Sequence, residues 1–180
     1  MPASSRCLSW RATRSVVVLL AVFISLSAEA GARTLGWVER ALLLPDRISI
    51  KAKLDTGART SSLHAVDIEA ITVDGEHRVR FRVPLASRAD DTDSDRDLLF
   101  ERPVVRETLI KDHVAAPAPR YVVILDLCIG GLTFTTPVTL TDRSRFNYPL
   151  LLGRSALQGR VLVDAARTFT ARRSCKSPLS

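Results

Sequence analysis

The stretch KAKLDTGARTSSLHA (51–65) carries an alternating apolar pattern into an aspartate, a β-branched hydroxyl and a glycine, then into further hydroxyls and a histidine. Together with Ile48, Ser49 and Ile50 it reads as a half-buried strand of period two that ends at Asp55. Thr56 and Gly57 then turn the chain. A strand that delivers a carboxylate to its tip, beside a hydroxyl and a glycine amide, forms a candidate active loop. Asp55 is placed to activate a water. Gly57, lacking a side chain, lets another loop or a substrate come close and can offer its amide to the carboxylate.

One carboxylate does not complete peptide hydrolysis. An acid must protonate the carbonyl or the leaving amine while a base takes a proton from water, and two carboxyls a few ångströms apart supply both roles because they cannot both ionise cheaply. The chain has a single Asp-Thr-Gly; the next candidate, VDAA (163–166), lacks both the hydroxyl and the glycine. The expected solution is a symmetric homodimer in which each copy supplies Asp55 across a twofold axis and the Thr56 hydroxyls brace the two loops.

Outward from this stretch, short apolar or alternating runs recur between turn residues: AVDIEAITV (65–73), HRVRFRVPL (77–85), RYVVILDLCI (120–129), LTFTTPVTL (132–140) and RVLVD (160–164). Asp74-Gly75 and Gly130-Gly131 are hairpin signals. The one helix signal is GRSALQG (153–159). The expected architecture is all-β, a small barrel or sandwich with one short helix. A second motif follows the first at a distance: YPLLLGRSALQGRVLVD (148–164), in which an apolar strand runs into Gly153-Arg154. That strand is expected to pass beside the Asp-Thr-Gly loop, where a glycine is needed for close backbone approach.

The first thirty residues have the pattern of a secretory signal: Arg6, Arg11 and Arg14, then VVVLLAVFI (16–24), then small residues at Ala28 and Ala30. That apolar run is shorter than the roughly 20 residues a membrane span needs, so no stable membrane insertion is expected after cleavage. The expected organisation is a signal over 1–30, one domain over 31–172 and a disordered tail over 173–180, in an exported, periplasmic or secreted protein. Without Arg6, Arg11, Arg14 and Glu29 the net charge falls from +7 to +5. Arginine supplies 22 of the 26 basic residues, but they are scattered, with no basic block or interleaved aromatic stripe, so no nucleic-acid partner is expected. Cys128 and Cys175 are compatible with a disulfide in an oxidising compartment, but their pairing is not legible. The aspartate-rich SRADDTDSDRDL (87–98) fails as a calcium loop, because Arg96 and Arg102 stand where an EF-hand beginning at Asp91 needs glycine and glutamate. It reads as a solvated loop.

LDTGARTSSLHA (54–65) with LLGRSALQGRVLVD (151–164) resembles the bacterial retropepsin-like aspartic peptidases, often labelled "ATP-dependent zinc protease". The resemblance extends through GWVERALLLP (36–45), VRFRV (79–83), RYVVILDLCIGG (120–131) and VTLTDRSRFNYPLLLGR (138–154), nearly the whole chain after the signal. It implies a closed retropepsin-like barrel acting on a peptide or protein substrate, with Asp55 as catalytic carboxylate and Thr56 and Gly57 as its loop partners. Ala58, Arg59, Thr60, Ser61, His64, Gly153 and Arg154 are expected to support the loop or bind substrate. His64 is open to two readings, a site residue or metal ligand, and a structurally hydrogen-bonded histidine. The label implies zinc and ATP, but there is no phosphate loop ending in Gly-Lys-Ser or Gly-Lys-Thr and no His-Glu-x-x-His, so no metal and no cofactor is expected. Two segments compete for the flap such enzymes close over substrate: the Asp74-Gly75 hairpin and VRETLIKDHVAAPAPR (105–120). A catalytically silent peptide- or envelope-binding module on the same barrel is the alternative.

Overall fold

The protein is described by a computed structural model covering residues 31–84, 98–110, 118–171 and Cys175. The expected signal (1–30), nearly all of the aspartate-rich stretch, residues 111–117 of one flap candidate, and the expected tail other than Cys175 lie outside the described residues. The elements in chain order are strands β1 (Arg33–Leu43), β2 (Ile48–Leu54), β3 (Ser61–His64), β4 (Val66–Val73), β5 (Glu76–Val83) and β6 (Leu98–Pro103). Then come β7 (Arg106–Ile110), β8 (Ala118–Ile129), β9 (Leu132–Thr141), β10 (Leu150–Leu152), helix α1 (Arg154–Leu157) and β11 (Val161–Thr168).

Six strands close on themselves in the order β1-β2-β10-β3-β9-β8, with β8 returning to pair β1 through Ala41–Ile129 to Leu43–Leu127. β11 and β7 extend the sheet beyond this ring. The all-β barrel with one short helix is thus the observed fold. Alternation builds its interior: in β2 the residues Ile50, Ala52 and Leu54 are buried, while Lys51 and Lys53 between them are not. β9 buries Phe134, Thr136, Val138 and Leu140 in the same register. A second sheet, β4-β5-β6, adds Val79, Phe81, Val83 and Phe100 to the same hydrophobic core. Phe81 and Phe100 stack there with ring centroids 5.5 Å apart.

Both expected hairpins form. Asp74 and Gly75 have φ of 52° and 79°, and Gly130 and Gly131 have 58° and 76°, the left-handed pair that a two-residue turn between twisted strands requires. The longer flap candidate holds β7 and the start of β8, paired from Arg106–Val122 to Ile110–Ala118.

Two features tie the end of the chain to the barrel. Glu39 is 1% exposed, and its carboxylate accepts hydrogen bonds from the amides of Gly36, Thr170 and Ala171 and from the Thr170 hydroxyl, so the buried charge is fully satisfied. Cys175 is disulfide-bonded to Cys128 of β8, which settles the pairing that the sequence leaves open. The bond closes a sequence separation of 47 residues, for which unfolded-chain entropy gives about 4 kcal/mol of stabilisation. Cys175→Ser in the oxidised protein is therefore expected to lower the unfolding free energy by about that amount in denaturant titrations; a variant as stable as its parent contradicts this.

Candidate active site

β2 and β3 are not neighbours: β10 lies between them, parallel to β2 and antiparallel to β3. The segment 55–60 that joins β2 to β3 must therefore cross the end of β10. Where it crosses, the backbones nearly touch. A Cβ on Gly153 would lie 2.5 Å from the Thr60 carbonyl oxygen, so only glycine fits. Hydrogen bonds lock the crossing on both sides: Asp55 N donates to Leu152 O (2.8 Å), Arg154 N to Ala58 O (2.9 Å), and Ser155 N to Arg59 O (3.1 Å). Gly153 N donates to the Oγ of fully buried Ser61 (3.2 Å). The Arg154 guanidinium reaches back to the carbonyls of Thr56 and Gly57, both at 2.9 Å.

Within this frame the carboxylate of Asp55 stands half-buried, its side chain 22% exposed, at the end of β2. Its Oδ1 accepts the amides of Gly57 (2.9 Å) and Ala58 (3.2 Å), and its Oδ2 accepts Nζ of Lys53 (2.9 Å). The Lys53 hydrogen bond is the largest influence holding the Asp55 pKa below the usual carboxylate range; burial opposes it, and the two amides add to it. Thr56 and Gly57 are exposed at the loop tip. The loop thus presents an oriented, ionised carboxylate beside an exposed tip.

Of the residues expected to support the site, Ala58, Arg59, Thr60, Ser61, Gly153 and Arg154 all belong to this crossing; Arg59 contributes its backbone and leaves its side chain exposed. His64 does not. It sits at the far end of β3, where its Nδ1 accepts the backbone amide of Arg143 (2.8 Å) and lies 3.5 Å from Asp142 Oδ1.

Two residues near the site escaped the sequence reading. Lys53 had a signal, since period two puts it on the same face as Asp55. Arg143 had none. It is 7% exposed, donates to Ser62 Oγ (2.8 Å) and Tyr148 O (3.2 Å), and packs over Phe146. Burial lowers its pKa while the charge of Asp55 counteracts that shift. Among the described residues no three His, Cys, Asp or Glu side chains come together in a way that would hold a metal ion.

A closed barrel whose strand-crossing loop bears Asp-Thr-Gly defines the retropepsin-like class. The family described as "Retropepsin-like aspartic endopeptidase RimB" matches residues 34–174, and the chain belongs to this RimB-like family. A crystal structure of a Legionella pneumophila protein of unknown function is similar, with a TM-score of 0.64 and 39% identity over 78% of this chain and 98% of that one. Proteins named "Probable alpha-L-glutamate ligase" are 35% identical over 123 residues in Shewanella pealeana and 34% over 119 in Desulfotalea psychrophila. These matches take in 67% and 66% of this chain but only 26% and 25% of the relatives, so the chain spans about a quarter of their length.

The two glycines of the site separate stability from positioning. Gly153→Ala forces a Cβ against backbone and is expected to lower stability by about 1–3 kcal/mol in thermal or denaturant unfolding. Gly57→Ala meets only Asp55 Oδ1, at 3.2 Å, and is expected to move the carboxylate while leaving stability nearly unchanged. Equal stability losses in the two variants would contradict this geometry.

Proposed function

We propose that the chain is an exported aspartic endopeptidase that works as a homodimer. One Asp55 carboxylate takes a proton from water, the protonated Asp55 of the second copy gives a proton to the peptide carbonyl, and the attacking oxygen adds to the carbonyl carbon; collapse then expels the amine with a proton. The observation that carries the proposal is the locked crossing of loop 55–60 over Gly153, which holds Asp55 outward with both oxygens engaged. A fixed carboxylate at an exposed tip is what a twofold pairing needs, since each loop must meet its copy with little rearrangement. Export is supported by the signal-like pattern over 1–30 and by the Cys128–Cys175 disulfide, a bond that persists in oxidising compartments.

The substrate class proposed is an acidic peptide. Lys53, Arg59, Arg143 and Arg154 surround or neighbour the Asp55 loop, and the longer relatives are named for ligating glutamate, an acidic residue. In this reading the ligase name belongs to the rest of those longer proteins, and the piece shared with this chain is hydrolytic.

The test is cleavage of a mixed-sequence peptide library that includes glutamate-rich members, read by mass spectrometry. Asp55→Asn is expected to abolish cleavage by at least about 1,000-fold while remaining a folded dimer, as loss of a group acting in acid–base catalysis implies. Chelator is expected to leave the parent rate unchanged. Cleavage retained in Asp55→Asn, or lost on chelation, refutes the proposal; a folded dimer that cleaves nothing supports a silent binding module instead.

A further inference from the structure

Lys53 lies in β2 and Asp55 directly follows the last residue of that strand, two positions on, so strand alternation puts both on one side and their charged groups meet at 2.9 Å at the mouth of the site. The other cations near Asp55 are engaged elsewhere: Arg143 on Ser62 Oγ and Tyr148 O, and Arg154 on the carbonyls of Thr56 and Gly57. Arg59 stands further along the same loop with its side chain exposed. Lys53 is thus the cation in direct contact with the carboxylate, and its side chain, 39% exposed, is reachable from solvent.

This contact conflicts with what a carboxyl pair must do. A working pair shares one proton, and that proton is the acid. A lysine bonded to each carboxylate replaces the proton with a fixed positive charge, so two bridged copies meet with both carboxylates ionised and neither able to donate.

We infer that Lys53 is a positioning residue that locks Asp55 in its ionised form, so that the pair becomes competent only where the bridge opens, either at lower pH or when an acidic substrate group draws the ammonium away. The inference rests on the peptidase reading proposed above and deepens it. It fixes a direction. While the bridge is made, the pair takes up its shared proton only at lower pH, and the alkaline limb of activity lies correspondingly low. Removing the ammonium raises the pH at which the pair takes up that proton and carries the alkaline limb upward.

The test compares the full protein with Lys53→Met, which keeps the stem packed beside its neighbours on β1 and β10, and with Lys53→Arg, which keeps the charge. Titration of Asp55 followed by carbon-13 NMR of the labelled carboxyl needs no substrate. Asp55 is expected to titrate at higher pH in Lys53→Met and near the parent value in Lys53→Arg, and the alkaline limb of kcat/KM on peptides cleaved from the library is expected to move the same way. An Asp55 titration unchanged by Lys53→Met overturns the lock, whether or not any variant cleaves peptide. A titration that moves while the pH profile stays fixed also overturns it, because the charge then has no hold on catalysis. Cleavage by none of the proteins, with the titration shifted, refutes the peptidase reading and leaves the Lys53–Asp55 coupling demonstrated.

Discussion

The site depends on one close approach, the passage of loop 55–60 over Gly153 at the end of β10. Because β10 is inserted between β2 and β3, the loop that joins those strands cannot turn back as a simple hairpin and must cross over a third strand. A short side chain there would drive into the Thr60 carbonyl, and the backbone hydrogen bonds on either side of the crossing would open together. The barrel, the loop and the carboxylate are therefore one mechanical unit. Closure of the barrel through β1 and β8 removes the edges that would otherwise let β2 and β3 drift apart.

The electrostatics follow from the same geometry. Amides of Gly57 and Ala58 point at one oxygen of Asp55 because the loop is turned tightly, and Lys53 reaches the other because strand periodicity places it there. The carboxylate is thus stabilised in its ionised form within the single chain, while on the account proposed above the acid of peptide hydrolysis comes from outside it. On the proposed account a second copy supplies it, and Lys53 decides when the two carboxyls can share a proton.

Much of this was legible in the sequence where alternation is long and turns carry glycine. β2, β5, β8 and β9 follow their apolar runs to within two residues, both hairpins fall where Asp-Gly and Gly-Gly predicted them, and Gly153 proved to be the point of close approach. Of the short strands, β10 was legible only as the apolar run that ends at Gly153, whereas β3, of four residues, has too few positions to display a period and exists because its neighbours pair with it. The Lys53 bridge was available from the spacing of residues 53 and 55, since both lie on one face. The buried position of Arg143 depends on partners at Ser62 and Tyr148 brought together by the fold, and nothing local in its sequence announces it. The Cys128–Cys175 pairing likewise required knowing that the end of the chain returns to β8.

The central claim is that the active centre is assembled from two copies of one loop. The most direct measurement is a structure of the protein at assay concentration, giving the distance between the two Asp55 carboxyl groups. The account predicts a twofold dimer with those groups about 3 Å apart, close enough to share a proton. A monomer, or a dimer that holds the two carboxyls too far apart to share one, would contradict it.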